Sequence, residues 1–386
     1  MVRRELLSVL KTRAAQFKAV LLTGPRQSGK TTLARSTFPN KPYVSLENPD
    51  ERMAATADPR SFLARFPKGA IFDEAQRVPD LFAYLQQILD ESREKGLFVI
   101  TGSQHLGLTQ TVTQSLAGRV AILELLPFTY RELRTGRYAS DRLETVLFTG
   151  AYPPVFDQAL DPVAWYNSYI ESYLERDVRL ILNVRDLIAF RRFIALCAGN
   201  VGQLFNASRL GADCGMSSVT TAQWLSVLEG TYIAFRLQPY FKNFRKRVVK
   251  TPKLYFWDTG LAVRLLGIQS AEQLATHPLR GALFENWVVS ERLKARCHLG
   301  ERPNLYFWRD NAGLEVDLLE ETAGRLRATE VKSGATFTAE WTERLSKWQA
   351  LAAADAEPGA RVVYGGKTCF AFKGYDVVSW REVERK

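Results

Sequence analysis

Residues Gly24-Pro25-Arg26-Gln27-Ser28-Gly29-Lys30-Thr31-Thr32 place two glycines, a lysine and a hydroxyl at the spacing G-x-x-x-x-G-K-[ST]. That order of residue types suits the cradling of a phosphate chain. Glycines at 24 and 29 let the backbone turn sharply and approach the phosphates with free N–H groups. A helix opening near Lys30 adds its positive dipole end. Lys30 supplies a point charge between the outer phosphates, and the Thr31 hydroxyl takes one place on a magnesium ion. Gln27, Ser28 and Thr32 complete the loop, and the expected ligand is a nucleotide. The second chemical element is a short apolar strand ending in two acids, Ile71-Phe72-Asp73-Glu74. Asp73 is expected to hold magnesium through water and Glu74 to polarise an attacking water.

The elements that must position these groups follow from periodicity. The apolar run 19–22 precedes the loop, 43–46 and 97–101 read as further strands, and residues 3–17 and 81–94 read as helices. Strands alternating with helices imply a parallel sheet covered on both faces, with chemistry at the C-terminal ends of its strands.

Residues 24–32, Phe72-Asp73-Glu74-Ala75-Gln76 and Thr101-Gly102-Ser103-Gln104 together resemble the nucleotide-binding core of AAA-type ATPases. The resemblance implies ATP and Mg2+ as cofactors. It also implies a polar residue at the end of the fourth core strand that senses the γ-phosphate: Ser103, with Gln104 as the alternate. The plain alternative is a Ser103 that only turns the chain. Further on, Ser115-Leu116-Ala117-Gly118-Arg119 and Leu126-Pro127-Phe128-Thr129-Tyr130-Arg131-Glu132 are similar to one bacterial and archaeal subgroup of these ATPases. In that subgroup the C-terminal half is an uncharacterised domain with a restriction-nuclease-like core. The likeness implies that Arg119 is an arginine finger reaching a neighbouring subunit's nucleotide, hence a homo-oligomer, by analogy a hexamer. A surface arginine paired with a carboxylate is the alternative.

The chain has 386 residues, long enough for two or three domains, and 46% hydrophobic against 24% charged residues is an ordinary globular balance. A formal net charge of +11 suits a polyanionic partner or an acidic surface without deciding between them. Four scattered cysteines without C-x-x-C spacing and three histidines indicate neither a zinc cluster nor a disulfide framework, as expected in a reducing cytoplasm. No run of about 18 apolar residues is present, so no membrane span is expected.

Past residue 137 the parallel rhythm stops. Trp165, Tyr169 and Tyr173 stand at i, i+4 spacing and belong against a core. Helical patterns near 187–199, 205–210 and 218–228 precede a strand at 232–237 and a basic stretch at 242–250, the order of a winged helix. Lys242, Arg245, Lys246, Arg247 and Lys250 are the candidate DNA contacts, in an interval to Lys253 without an acid. A merely solvated positive loop is the alternative, and phosphate contact alone confers no sequence specificity.

The last third holds a second constellation. A strand and turn at 253–261, a helix bearing Glu285, strands at 305–308 and 313–319, and a third at 328–332 bring forward Asp317, Glu330 and Lys332. Residues 330 and 332 of one strand share a face. In the subgroup it resembles, this layout, D…[DE]-x-K with a helix carboxylate upstream, is that of the restriction-nuclease-like core, where carboxylates bind magnesium and the lysine helps activate water. Relatives of such folds also serve only to bind.

The expected architecture is therefore α/β: an AAA-like P-loop domain with a parallel sheet over 1–136, a helical connector over 137–185, a winged-helix-like domain over 186–250, and an α/β restriction-nuclease-like domain over 251–386. The expected activity is ATP hydrolysis by a cytoplasmic oligomer acting on DNA, forked or branched forms among its substrates, coupled to DNA movement or remodelling. The competing expectations are a nucleotide-gated switch that binds a protein partner, and an ATP-licensed, magnesium-dependent nuclease.

Overall fold

A computed structural model of the protein describes residues 2–103, 116–178, 186–241 and 248–385. Gln104 and four of the basic candidates, Lys242, Arg245, Lys246 and Arg247, lie outside the described residues.

The first body runs α1 (Leu6–Gln16), β1 (Ala19–Thr23), α2 (Lys30–Thr37), β2 (Tyr43–Ser45), α3 (Pro49–Ala57), α4 (Pro59–Ala64), β3 (Ile71–Asp73), α5 (Leu81–Glu91), β4 (Phe98–Gly102) and β5 (Val120–Glu124). Its five strands form a parallel sheet in the order β2-β3-β4-β1-β5. Strands β1 and β4 are buried at every position, which is why they read as continuous apolar runs rather than alternating ones. One face packs on Phe62, Phe66, Phe72 and Phe98, with the last two rings stacked at 5.5 Å. The other is covered by Leu6, Leu10 and Ala14 of α1. Because β4 lies between β1 and β3, the chain after β4 emerges between the phosphate loop and the paired acids.

A helical region follows: α6 (Tyr130–Thr135), α7 (Leu143–Thr149), α8 (Pro153–Asp157) and α9 (Pro162–Tyr169), which continues as a π-helical stretch over Ile170–Val178. Thr129 and Glu132 close a reciprocal capping box at the start of α6. Trp165, Tyr169 and Tyr173 are buried in a run of neighbouring rings, with centroids 5.1 and 5.2 Å apart. Then come α10 (Leu187–Gly199), α11 (Ala207–Cys214) and α12 (Ser218–Gly230), capped by Asp186, Asn206 and Ser217. Strand β6 (Ala234–Leu237) pairs antiparallel with β7 (Lys253–Phe256).

The C-terminal body contains α13 (Thr259–Leu265), α14 (Ala271–Ala275), α15 (Arg280–His298), β8 (Leu305–Arg309), β9 (Glu315–Thr322), β10 (Arg325–Lys332), α16 (Trp341–Ala352), β11 (Arg361–Tyr364), β12 (Phe370–Phe372) and β13 (Tyr375–Ser379). Its six strands run β12-β13-β11-β10-β9-β8, antiparallel from β8 to β10 and parallel from β10 through β11 to β13. One feature differs from the sequence expectation. The chain after β7 is helical rather than a turn, because the Asp258 carboxylate caps α13 through the Leu261 N–H at 2.9 Å. Strands β12 and β13 extend the sheet beyond β11. The largest apolar core runs unbroken from Tyr130 through the middle helices to Val331 and Trp380 of the C-terminal body.

Candidate nucleotide site and C-terminal carboxylate cluster

The loop between β1 and α2 has the backbone its glycines allow. Gly24 sits at φ +144°, and a Cβ there would stand 2.1 Å from the Leu125 carbonyl oxygen; Gly29, at φ +93°, opens α2. Lys30 is 5% exposed and folds back, its Nζ donating to the Gly24 and Pro25 carbonyls at 3.0 and 2.7 Å. Burial lowers its pKa to about 8, against the opposing pull of Glu74 and Asp73. The adjoining cleft, about 720 Å3, is walled on one side by Gln27, Ser28, Lys30, Thr31 and Thr32 and on the other by Val2, Phe128, Pro153, Leu160 and Trp165. A polar phosphate end and an apolar end suit a nucleotide.

The acids close the site from the neighbouring strands. Thr31 donates its hydroxyl to Asp73 at 2.9 Å to Oδ1 and 3.0 Å to Oδ2. Asp73 also accepts from Tyr43 at 2.8 Å and from Thr101. Glu74 stands at φ +55° in a left-handed conformation, which turns the chain out of the sheet. Ser103 donates to Glu74 Oε2 at 3.0 Å, and Gln76 donates to Ser103 at 3.1 Å and to Glu74. Thus Lys30, Thr31, Asp73, Glu74 and Ser103 converge. The hydroxyl of Thr31 and the carboxylate of Asp73 are hard oxygen donors in contact, a pair that fits Mg2+. Sequence reasoning gave no site role to Tyr43, Thr101, Gln76 or the buried Arg4: strand order brings Tyr43 and Thr101 to Asp73, Gln76 follows Glu74 by two residues, and Arg4 arrives from ahead of α1. Burial beside Asp73 pushes the Tyr43 phenol up to about 12.

Arg119 is placed elsewhere. It precedes β5, and its carbonyl accepts the N–H of Ala19 at 3.3 Å, at the sheet edge opposite the phosphate loop. Its guanidinium pairs with Asp90, with Nη2 to Oδ2 at 3.0 Å. Within its own subunit it does not reach the site.

In the C-terminal body, Asp317 and Glu330 come from adjacent antiparallel strands, one step beyond the Leu318/Thr329 pair. Lys332 Nζ lies 2.5 Å from Glu330 and 3.9 Å from Asp317. Glu330 is fully buried, and burial together with the Asp317 charge raises its carboxyl pKa to about 8. Glu285 is engaged differently. It accepts from Lys253 at 2.9 Å and from Tyr255 at 2.6 Å, and Lys253 also pairs with Glu315 at 2.5 Å. Burial alone would lower the Lys253 pKa, but the carboxylates of Glu285, Asp317 and Glu315 outweigh it and hold the ammonium charged. Among the described residues, the single group of three His, Cys, Asp or Glu ligand atoms within 4.8 Å of one another is Glu5, Glu132 and His298. It excludes Glu285, Asp317 and Glu330, and Arg4 and Arg131 already pair with its acids. Glu285 is thus engaged by Lys253 and Tyr255, while Asp317, Glu330 and Lys332 stand together. Of the basic candidates, Lys250 is described, and it is exposed.

Residues 16–134 match the model of an AAA domain, and residues 140–272 and 280–383 match two domains of unknown function, DUF8612 and DUF4143. Over 339 residues the chain is 37% identical to an uncharacterized protein of Mycobacterium tuberculosis and to one of Mycobacterium bovis, covering 86% of this chain and 74% of each relative. The chain belongs to their family. In this member of the family the N-terminal body is an AAA-type ATPase domain. An uncharacterized protein of Haemophilus influenzae is 24% identical over 187 residues, 45% of this chain and 46% of that one. Among solved structures, the Walker-type ATPase of Pyrococcus abyssi is similar at a TM-score of 0.42 and 13% identity, over 68% of this chain and 94% of that one. No helix among the described residues is long and apolar enough to cross a membrane.

Proposed function

We propose that the protein binds ATP with Mg2+ in the cleft above the phosphate loop and hydrolyses it. The observation that carries this reading is the contact of Thr31 with Asp73 beside the Ser103–Glu74 pair. In this reading Lys30 leaves the Gly24 and Pro25 carbonyls for the phosphates, and Thr31 and Asp73 hold the magnesium ion, which offsets phosphate charge. Glu74 polarises the attacking water, and Ser103 orients the Glu74 carboxylate by its hydrogen bond. Gly24, Gln27, Ser28, Gly29 and Thr32 complete the cradle. Arg119 exchanges Asp90 for a neighbouring subunit's nucleotide, which requires a homo-oligomer. The working substrate is DNA: the net charge of +11 and the basic stretch ending at Lys250 support a polyanion, and the order of three helices and a paired strand in the middle region supports a winged-helix reading.

A second reading, a nucleotide-gated switch acting on a protein partner, is favoured by the bonds that join the phosphate loop to the C-terminal body through Arg4 and the end of β1 to the middle region through Tyr232. Steady-state ATP hydrolysis with Mg2+, alone and with single-stranded, duplex and branched DNA, separates the two, with Lys30→Ala as the blank. Stimulation by one DNA form that vanishes in the blank supports the DNA-dependent ATPase. A rate indifferent to every DNA form overturns it in favour of the switch.

A further inference from the structure

Arg4 is 7% exposed and precedes α1, yet its guanidinium reaches four separate groups. Nη1 donates to the Ser28 carbonyl of the phosphate loop at 2.8 Å, Nη2 to the Leu126 carbonyl at 2.6 Å, and Nε to Glu132 Oε1 at 3.1 Å. Nη2 also lies 3.4 Å from His298 Nε2, and the group stacks over the Phe128 ring, 4.7 Å from its centroid. We propose that Arg4 is a positioning residue of the nucleotide site, one that fixes the phosphate loop in its binding shape and ties that shape to the C-terminal body. The proposal rests on the nucleotide-binding reading above.

The physical reason lies in the peptide plane. In a trans peptide the C=O and the following N–H point in opposite directions, so a guanidinium that pins the Ser28 carbonyl also sets the direction of the Gly29 N–H, one of the donors of the cradle. A loop with glycines at φ +144° and +93° has little stiffness of its own. An outside clamp supplies it and lowers the ordering cost when phosphate binds. The clamp is itself held. Glu132 caps α6 and accepts the Glu5 N–H at 2.7 Å, while the Leu126 N–H donates to His298 of α15 at 3.2 Å. A lysine cannot replace this arrangement, because one ammonium cannot span the Ser28 carbonyl, the Leu126 carbonyl and the Glu132 carboxylate together.

The test measures equilibrium binding of a fluorescent ADP analogue with Mg2+ to the full chain, alongside steady-state ATP hydrolysis, for wild type, Arg4→Lys and the Lys30→Ala blank. The expected result for Arg4→Lys is a Kd and a KM raised about ten-fold, with kcat changed less than about three-fold, the pattern of lost uniform binding. A role confined to folding lowers the amount of active protein, so kcat falls while Kd and KM stay put, and that outcome overturns the proposal. So does a Kd within about two-fold of wild type. Arg4→Met with Glu132→Gln removes the buried pair as a whole and gives the same readout if Arg4→Lys does not fold. Wild type that binds no better than Lys30→Ala overturns the nucleotide-binding reading together with this one. Wild type that binds well beside an unaffected Arg4→Lys overturns this one alone.

Discussion

His298, at the last position of the long C-terminal helix α15, accepts the backbone N–H of Leu126 at 3.2 Å through Nε2. Leu126 follows Leu125, whose carbonyl oxygen leaves room for glycine alone at position 24 of the phosphate loop. The ring proton therefore sits on Nδ1, 3.6 Å from Glu132 Oε1. Next to it Cys297 approaches Glu124 at 3.5 Å, and the Tyr232 hydroxyl bonds both Thr23 and Glu124, at 3.0 and 3.1 Å. The end of α15 is thus bonded to the base of the phosphate loop.

That junction predicts a transmitted signal. Nucleotide bound at the loop is expected to slow amide exchange at residues 297–300, where the Gly300 N–H closes the helix on Cys297. Exchange measured with and without ADP and Mg2+ checks this, and the slowing is expected to vanish in Arg4→Lys.

His298 also predicts a pH dependence. Burial lowers its pKa to about 3; Glu132 pulls it back up, while Arg4 and Lys294 push further down. Between about pH 6.5 and pH 3 the unfolded chain therefore holds a proton at this position that the folded one refuses. Stability is fully present above that window and falls as pH drops, by at most about 1.4 kcal/mol per pH unit. Denaturant midpoints from pH 4 to pH 8 for wild type and His298→Gln are expected to converge at acid pH, the wild type losing more.

Glu74→Gln keeps the shape of the side chain but removes the base. The expected outcome is a kcat lowered roughly 10²- to 10⁴-fold, with ATP binding retained. Single-turnover hydrolysis beside an equilibrium binding titration checks it.

Asp258 is buried and accepts from the Ala151 N–H at 2.7 Å, the Leu261 N–H at 2.9 Å and the Tyr166 hydroxyl. Asp258→Ala strands three donors and removes a helix cap, so a loss of about 2–4 kcal/mol is expected. The shift of the urea midpoint measures it.

Lys253→Met leaves Glu285 and Glu315 without their shared buried cation. An unfolding free energy lower by about 3–5 kcal/mol is expected. Asp317→Ala, far from the phosphate loop in the chain and bonded to the Val331 N–H at 2.8 Å, is expected to leave ATP turnover unchanged, as a hydrolysis assay would show.

The sequence by itself determined the chemistry that depends on neighbours along the chain. Gly24, Gly29, Lys30 and Thr31 are legible because the phosphate loop is one continuous turn. Asp73 and Glu74 are legible because an apolar strand ends in them, and the parallel α/β sheet is legible from the alternation of buried strands and helices. The shared face of Glu330 and Lys332 is legible too, since side chains alternate along a strand. Tertiary structure alone decided what crosses the chain. The order β2-β3-β4-β1-β5 brings Ser103 to Glu74 and Tyr43 to Asp73, and nothing local in sequence encodes which strand inserts beside β1. Arg4 meets Ser28, Glu132 and His298 across 24, 128 and 294 positions. Lys253 claims Glu285 from a strand 32 residues away. Such contacts form because a buried charge requires a partner wherever the fold can bring one, and that requirement leaves no periodicity to read.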